Sequence, residues 1–509
     1  MTNNGRIEEV TEDMGMLKSI SLENYKCFEK LKVDDKEEME IAPLTVLCGV
    51  NSSGKSSIIN SLLLQKQSYE DNSISNNMKF NGEYTKAGRF KDVSLKRNDN
   101  LITFLTSYVL NKPKKYQPGV KKQSKYDITA WKNLLKIYSH YNVNKFDVSS
   151  SITLEQYDEE NYVNDNILSA QIIKIKILYN NAHELISSIT LKKMKNQSNQ
   201  YTIILDKIPD SDTGEIIEHV ELYNSTCYFE NFNLVNAYSV DIRPSNTHVS
   251  GLLASVYLIF KMIALQFKNI HYLTPLRGYP KRNYILDYET DDVGLSGEFT
   301  PYIMHKYNKE WMDGFLPPQN DIINKSKTKY KFNVCVQKWM EYLHFGEYTL
   351  KNALETIQLN ITDYNISNVG FGISQVLPII VSGLIKYENE LLLLEQPEIH
   401  LHPTAQMCMA DFLVSMALNG KGVIVETHSD HIINRIVRRM MENELINKKI
   451  KIYFVDQNND GISTIENIIV DPIRGVLTEN ENFFTQFASE TEKIVRVGFT
   501  NKLKENHNG

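Results

Sequence analysis

The side chains best suited to chemistry are those of Gly49-Val-Asn-Ser-Ser-Gly-Lys-Ser56, which fit the phosphate-loop pattern G-x-x-x-x-G-K-[ST]. Gly49 and Gly54 permit a tight backbone whose N–H groups converge on an anion, Lys55 reaches β- and γ-phosphates, and Ser56 binds Mg²⁺. A second stretch, Glu390-LLLLEQPEIHLH-Pro403, carries four consecutive leucines and then Glu395, with Gln396, Pro397 and Glu398 just beyond. Four leucines in a row predict a buried parallel strand. A carboxylate at the C-terminal end of such a strand is where the second Mg²⁺ contact of a phosphate-loop NTPase sits. Gly422-VIVETHSD-His431 predicts another buried strand with His428 at its tip, where an imidazole can hydrogen-bond a γ-phosphate or the attacking water. In Asn365-ISNVGFGISQVLPIIVSGLI-Lys386 a glycine-rich turn and the Ser374-Gln375 pair open an apolar helix, which again makes an anion site. Three strands ending in a phosphate loop, a carboxylate and a histidine are more specific than any one of them.

These groups must be held by a sheet and its helices. Leu44 to Cys48 predicts the strand before the loop, and Ser57 to Leu64 the helix after it. Lys18 to Val33 predicts a strand pair in which Tyr25 and Phe28 either stack near an adenine or pack in the core. Gln65 and Gln67 are candidates for a Mg²⁺ or attacking-water contact, or else a solvated helix end. Alternating runs between Ser149 and Asn233, such as Tyr201-TIILD-Lys207, predict an antiparallel sheet inserted into the core. Val249 to Phe267 predicts a buried helix rather than a membrane span, because Lys261 and Gln266 interrupt it. Around Pro275, Gly278 and Pro280 the chain breaks, with Arg277, Lys281 and Arg282 crowded there, either to sense a nucleotide phosphate or a nucleic-acid backbone or as an ion-paired surface loop. Beyond Lys449, Ile450 to Asp456 and Ser463 to Ile469 predict two strands, followed by a short helical tail with Phe483-Phe484. The fold class is α/β: a central, mostly parallel sheet, an antiparallel sheet, and an inserted α+β or helical region.

At 509 residues and 42% hydrophobic, the chain is expected to form two or more lobes. The net charge of −6 shows no basic excess, so contact with DNA or another nucleic acid must come from local patches. Candidates are Lys112 to Lys125, with six lysines, and the cluster Lys192, Lys193 and Lys195; solvated loops are the alternative. Cys27, Cys48, Cys227, Cys335 and Cys408 are scattered, as suits reduced thiols in the cytoplasm, and no secretory signal or membrane partner is expected. His400 and His402, taken with His428 and His431, have no further fixed ligand to complete a zinc site, so Mg²⁺ is the expected metal.

Taken together, the motifs resemble those of ABC-type ATPases such as RecF and SMC heads. More narrowly, they resemble bacterial AAA-family ATPases of anti-phage systems: the ATPase part of overcoming-lysogenisation-defect proteins and the Septu ATPase subunit. The resemblance covers Leu17 to Leu64 and Val369 to Arg439, and touches Tyr272 to Arg282. It implies that Asn51, Ser52, Ser53, Gly54, Lys55, Ser56 and Ser57 wrap the triphosphate of ATP and that Glu395 holds Mg²⁺ through water. The Gly370 to Gln375 turn, with Gly372, Ser374 and Gln375, becomes the signature that contacts the γ-phosphate of an opposite subunit. ATP is then sandwiched in a head-to-head dimer or larger even oligomer. His402 falls in the D-loop position and His428 is the switch histidine. Gln396 stands where the catalytic glutamate is usual; either Glu398 serves as base or turnover is slow.

The implied divisions are 1–100 and 361–449 as the two halves of the head, 101–245 as a β-rich insert, 246–360 as a mixed region, and 450–509 as a small C-terminal region. After Lys449 there is less chain than the roughly hundred residues a Toprim nuclease domain needs, so the nuclease is expected in a separate subunit, of HNH type as in Septu. The function implied is an ATP-binding sensor and scaffold of a defence complex. The alternative is a RecF-like DNA-repair or chromosome-binding ATPase; no heptad run supports an SMC-like arm.

Overall fold

Four consecutive leucines need apolar cover on both sides, and the central sheet supplies it. The structure, a computed structural model, describes residues 14–70, 77–97, 101–111, 145–154, 167–179, 184–194, 200–209, 216–230, 233–238, 260–286, 290–323, 325, 328–353, 355–385 and 390–478. The first strands are β1 (Met14–Tyr25) and β2 (Phe28–Lys30). The central sheet is built from β3 (Leu44–Gly49), β4 (Ile270–Leu273), β5 (Leu391–Glu395), β6 (Gly422–Glu426), β7 (Ile450–Gln457) and β8 (Ser463–Asn467). Its order is β4-β5-β6-β3-β7-β8, parallel throughout except for β8. Leu391 and Leu393 enter one hydrophobic core, while Leu392 and Leu394 enter the other. Period-two alternation thus buries every leucine of β5.

On one side lies an antiparallel sheet, eleven-stranded among the described residues. Strands from Ile102–Asn111 to Asn233–Tyr238 pair in chain order, and Ile102–Asn111 pairs with β1. The β-rich insert is therefore a continuation of the N-terminal hairpin's sheet, so the boundary expected near residue 100 runs through one sheet. Val148, Ile152, Ile173, Ile175, Leu191 and Ile203 face the core, where they meet α1 (Lys55–Glu70) and the helix through 260–268. Tyr69 of α1 stacks on Phe267 with centroids 4.9 Å apart. Across the division expected at 449/450 the central sheet is likewise continuous. β7 lies directly beside β3, buried along most of its length, so the chain after Lys449 completes the central sheet instead of standing apart.

On the other side pack α2 (Phe371–Ile385), α3 (Pro403–Leu418) and α4 (Asp430–Glu442), together with Trp339, whose indole donates to the Phe315 carbonyl at 3.0 Å. Arg435 and Arg439 of α4 hold the buried Asp411 of α3, and both reach Asp321. No helix among the described residues is long and apolar enough to cross a membrane. Lys112 to Lys125, Lys195, the first part of Val249 to Phe267 and the Phe483-Phe484 tail lie outside the described residues.

Candidate nucleotide-binding site

The loop leaves β3 at Gly49, whose φ is +127°; a Cβ there would stand 2.1 Å from the Val455 carbonyl oxygen of β7. Gly54 has φ +104°, and its Cβ would meet Cys27 Sγ at 2.4 Å. Both positions therefore require glycine, once for backbone and once for space. Asn51 and Ser52 are exposed at the tip, and Ser53 is buried with its hydroxyl unpartnered. Ser57 Oγ lies 4.0 Å from Cys27 Sγ. Lys55, at the start of α1, folds back to donate to the carbonyls of Gly49 at 3.1 Å and Val50 at 2.6 Å. Burial lowers the proton affinity of its amine, and Glu426 opposes that. The cation is thus held at the loop with carbonyl partners that an anionic phosphate would displace.

Sequence reasoning missed the acid nearest to Ser56. Ser56 Oγ donates to the carboxylate of Glu426 at 2.8 and 3.0 Å. Glu426 ends β6, the strand between β3 and β5, and lies opposite Glu395 in the ladder. Glu395 instead accepts from the Tyr272 hydroxyl at 2.7 Å. The rule that selected Glu395, a carboxylate at the end of a buried strand, selects Glu426 equally well, but the strand order was needed to apply it. Burial raises the proton affinity of both acids, and Glu395 raises that of Glu426 further. Two buried carboxylates on neighbouring strands beside a serine hydroxyl are a hard-oxygen donor set that a divalent cation would relieve. Among the described residues no three His, Cys, Asp or Glu side chains form a metal cage. Mg²⁺ would accordingly rest on Ser56, Glu426, Glu395 and the nucleotide's own oxygens, the usual way this ion is bound.

Glu398, proposed from sequence as a base, has both oxygens engaged: it accepts from Thr427 Oγ1 at 2.8 Å and from the His428 N–H at 2.7 Å. It ties the turn after β5 to the turn after β6. His428 places Nε2 at 3.9 Å from Glu426 Oε1, and burial followed by the Lys55 charge lowers its proton affinity, which favours neutral imidazole. Gln396 sits in left-handed backbone, φ +46°, and its N–H donates to the Glu426 carbonyl at 2.8 Å.

The signature-like turn is packed against this group. A Cβ on Gly372 would stand 2.7 Å from the His400 carbonyl oxygen, so glycine lets α2 approach the turn after β5. Ser374 Oγ donates to the Phe371 carbonyl at 2.7 Å. Gln375, expected to face nucleotide, is buried, and its amide is used at both ends: the Arg277 N–H donates to it at 3.0 Å and it donates to the Arg277 carbonyl at 3.2 Å. His402 caps α3, accepting from the Thr404 N–H at 3.4 Å, while His400 lies edge-on to Phe371 with centroids 5.0 Å apart.

Several other expectations change. Arg277 is neither a phosphate sensor nor a surface ion pair: its guanidinium is buried, donates to the carbonyls of Glu395 at 2.7 Å and Gln396 at 3.1 Å, and is pulled down to about 10 by that burial. Gln65 bonds back to Ser61, and Gln67 pins Lys79 and Thr85, so neither side chain reaches the loop. Tyr25 and Phe28 are fully buried core residues.

A family model described as an AAA ATPase domain matches residues 16–433. No curated protein matches the sequence. Among solved structures, an SMC head bound to the C-terminal winged-helix domain of ScpA is 12% identical, with 90% of this chain and 99% of that one covered and a TM-score of 0.37. The SMC head domain from Thermotoga maritima is 12% identical, covering 89% and 100%, with a TM-score of 0.33. A Smc head with an extended coiled coil, bound to the C-terminal domain of ScpA and derived from Pyrococcus furiosus, is 12% identical over 89% and 96%, with a TM-score of 0.35.

Proposed function

The chain belongs to the AAA ATPase domain family, and from that premise we propose that it is an ABC-type ATPase head that closes on ATP against a second copy and signals its nucleotide state to a partner nuclease of an anti-phage defence complex. One observation carries the nucleotide site: Lys55, Ser56, Glu426, Glu395 and His428 converge at the C-terminal ends of β3, β6 and β5. Asn51 to Ser57 would wrap the triphosphate with backbone N–H groups, and Lys55 would exchange its carbonyl partners for the β- and γ-phosphates. Ser56, Glu426 and Glu395 would hold Mg²⁺, whose role is to neutralise charge on the phosphate oxygens. His428 faces the γ-phosphate position, and Glu398 holds it there by its backbone. The Gln396 amide orients a water without taking its proton, which makes turnover slow and the ATP-bound dimer long-lived. The signature-like turn of the second copy completes the site, as the family resemblance implies.

The defence role and a separate nuclease, of HNH type, rest on the resemblance of the motifs to Septu-type systems. The test is twofold. Lys55→Ala is expected to abolish ATP binding, and a variant that binds and hydrolyses ATP normally would refute the loop assignment. Copurification from the native operon is expected to recover a nuclease chain; recovery of the ATPase alone, with tight salt-sensitive DNA binding, would instead favour the repair reading.

A further inference from the structure

Edge strand β4 and the loop after it carry two buried side chains whose hydrogen bonds run to the site. Tyr272, on β4 itself, donates to Glu395 Oε1 at 2.7 Å. Arg277 forks onto the carbonyls of Glu395 at 2.7 Å and Gln396 at 3.1 Å, while its own backbone N–H and carbonyl take both ends of the Gln375 amide. Arg277 is 3% exposed and Gln375 0%. A guanidinium buried at that depth and bonded to backbone carbonyls fixes the position of those carbonyls, and its charge also favours the ionised forms of Glu395 and Glu398. The geometry it fixes is unusual: Gln396 lies at φ +46°, a conformation that a non-glycine residue keeps only where its surroundings over-determine it. The far end of the clamp, Gln375, belongs to the first turns of α2, which carry the signature-like residues.

We propose that the Tyr272–Arg277 segment is a strut, in which Tyr272 and Arg277 are positioning residues that lock the Glu395 carboxylate and the Gln396 turn in register with the N-terminal turns of α2. A head's own metal-side acid and the surface it offers to a second copy then move as one unit. This inference rests on the ATPase reading above.

The strut is tested in the full chain by Tyr272→Phe and Gln375→Met, which cut its two ends. Tyr272→Phe loses one hydrogen bond to a carboxylate and Gln375→Met two to backbone groups, so kcat is expected to fall about tenfold in each. Affinity for a fluorescent ATP analogue without Mg²⁺ should stay within about twofold, because the loop that grips phosphate is untouched. The Mg²⁺-dependent part of the ATP-induced rise in melting temperature should shrink in both variants. A double-mutant cycle decides the rest: if the segment acts as one unit, the double variant is no worse than the poorer single. Effects that multiply, or a Tyr272→Phe enzyme with parental kcat, overturn the strut. Should Gln375→Met fail to fold, Arg277→Lys, which keeps the charge but cannot fork, replaces it in the cycle. Lys55→Ala run alongside separates the two levels. If the parent hydrolyses no ATP, the ATPase reading fails; if the parent is active and Lys55→Ala inactive beside an unaffected Tyr272→Phe, the strut alone fails.

Discussion

Replacing Glu426 by glutamine separates what this residue does for the fold from its proposed part in holding Mg²⁺. The amide side chain would keep the shape and one oxygen that accepts from Ser56 Oγ. The hydrogen bond weakens from one to a charged acceptor, roughly 1.5–3 kcal/mol, to a neutral one of roughly 0.5–1.5 kcal/mol, a loss near 1 kcal/mol. Against that loss, the buried carboxylate no longer opposes Glu395 and Glu398, which both raise its proton affinity. Burying one charge fewer is worth at least as much as the weakened bond. The two effects balance or favour the variant, so Glu426→Gln is expected to melt no lower than the parent. Activity should move the other way. A carboxylate that no longer helps neutralise Mg²⁺ should cost about 2–3 kcal/mol in the transition state, or roughly 30- to 150-fold in kcat. Half-saturating Mg²⁺ should rise as well. The assay is steady-state phosphate release titrated with Mg²⁺, paired with thermal melts. A Glu426→Gln enzyme with parental kcat and parental Mg²⁺ dependence, beside an inactive Glu395→Gln, would refute the reasoning and leave Glu426 as a partner of Ser56 alone.

Two further outcomes follow from the same geometry. Glu398→Gln keeps one acceptor for the switch turn but meets the second donor with an N–H₂ group, so ATPase activity should fall several-fold by displacing His428. A fall of more than about a thousandfold in single-turnover hydrolysis would make Glu398 the base after all. Asp321 is held down to about 2, first by Arg438 and then by Arg439, against an ordinary value of 3.8. A depressed carboxylate stabilises the fold above its unfolded pKa and loses that contribution as pH falls through the folded one. At 47% exposure the contribution is screened to below about 1 kcal/mol. The parent's stability advantage over Asp321→Asn should therefore be present at neutral pH and vanish between about pH 4 and pH 2; an advantage that survives below pH 2 would contradict this.

The phosphate loop was legible because its chemistry is local. Gly49, Gly54, Lys55 and Ser56 sit within one turn of chain, and the backbone they demand can be read from residue types. Leu391 to Leu394 were equally legible, since an unbroken apolar run fits few places other than a strand covered on both faces. What could not be read depends on partners far away in the chain. Glu426 and Ser56 are separated by 370 positions, and nothing in either segment says that β6 enters between β3 and β5. Arg277 looks like a surface cation by composition, and only the carbonyls of Glu395 and Gln396 explain its burial. The pairing of β1 with Ile102–Asn111 and of β7 with β3 likewise crosses the divisions expected from the resemblance.

The site's carboxylates also bear on the kind of work it does. A base for water needs a carboxylate with a free oxygen near the γ-phosphate position. Glu426 is committed to Ser56 and Glu398 to the turn after β6, while Glu395 accepts from Tyr272 through Oε1 and is assigned above to Mg²⁺. Gln396, which the family resemblance puts at the catalytic position, has no proton affinity to offer. Under the proposed function, such poor proton acceptance suits a device whose output is the lifetime of the ATP-bound state, more than a motor whose output is cycles per second. Substituting Gln396 by glutamate restores a base and is expected to raise kcat, shortening the ATP-bound dimer's lifetime in light-scattering decay after ATP is removed. If Gln396→Glu leaves both quantities unchanged, proton acceptance is not what limits turnover, and the slow step lies in dimer opening instead.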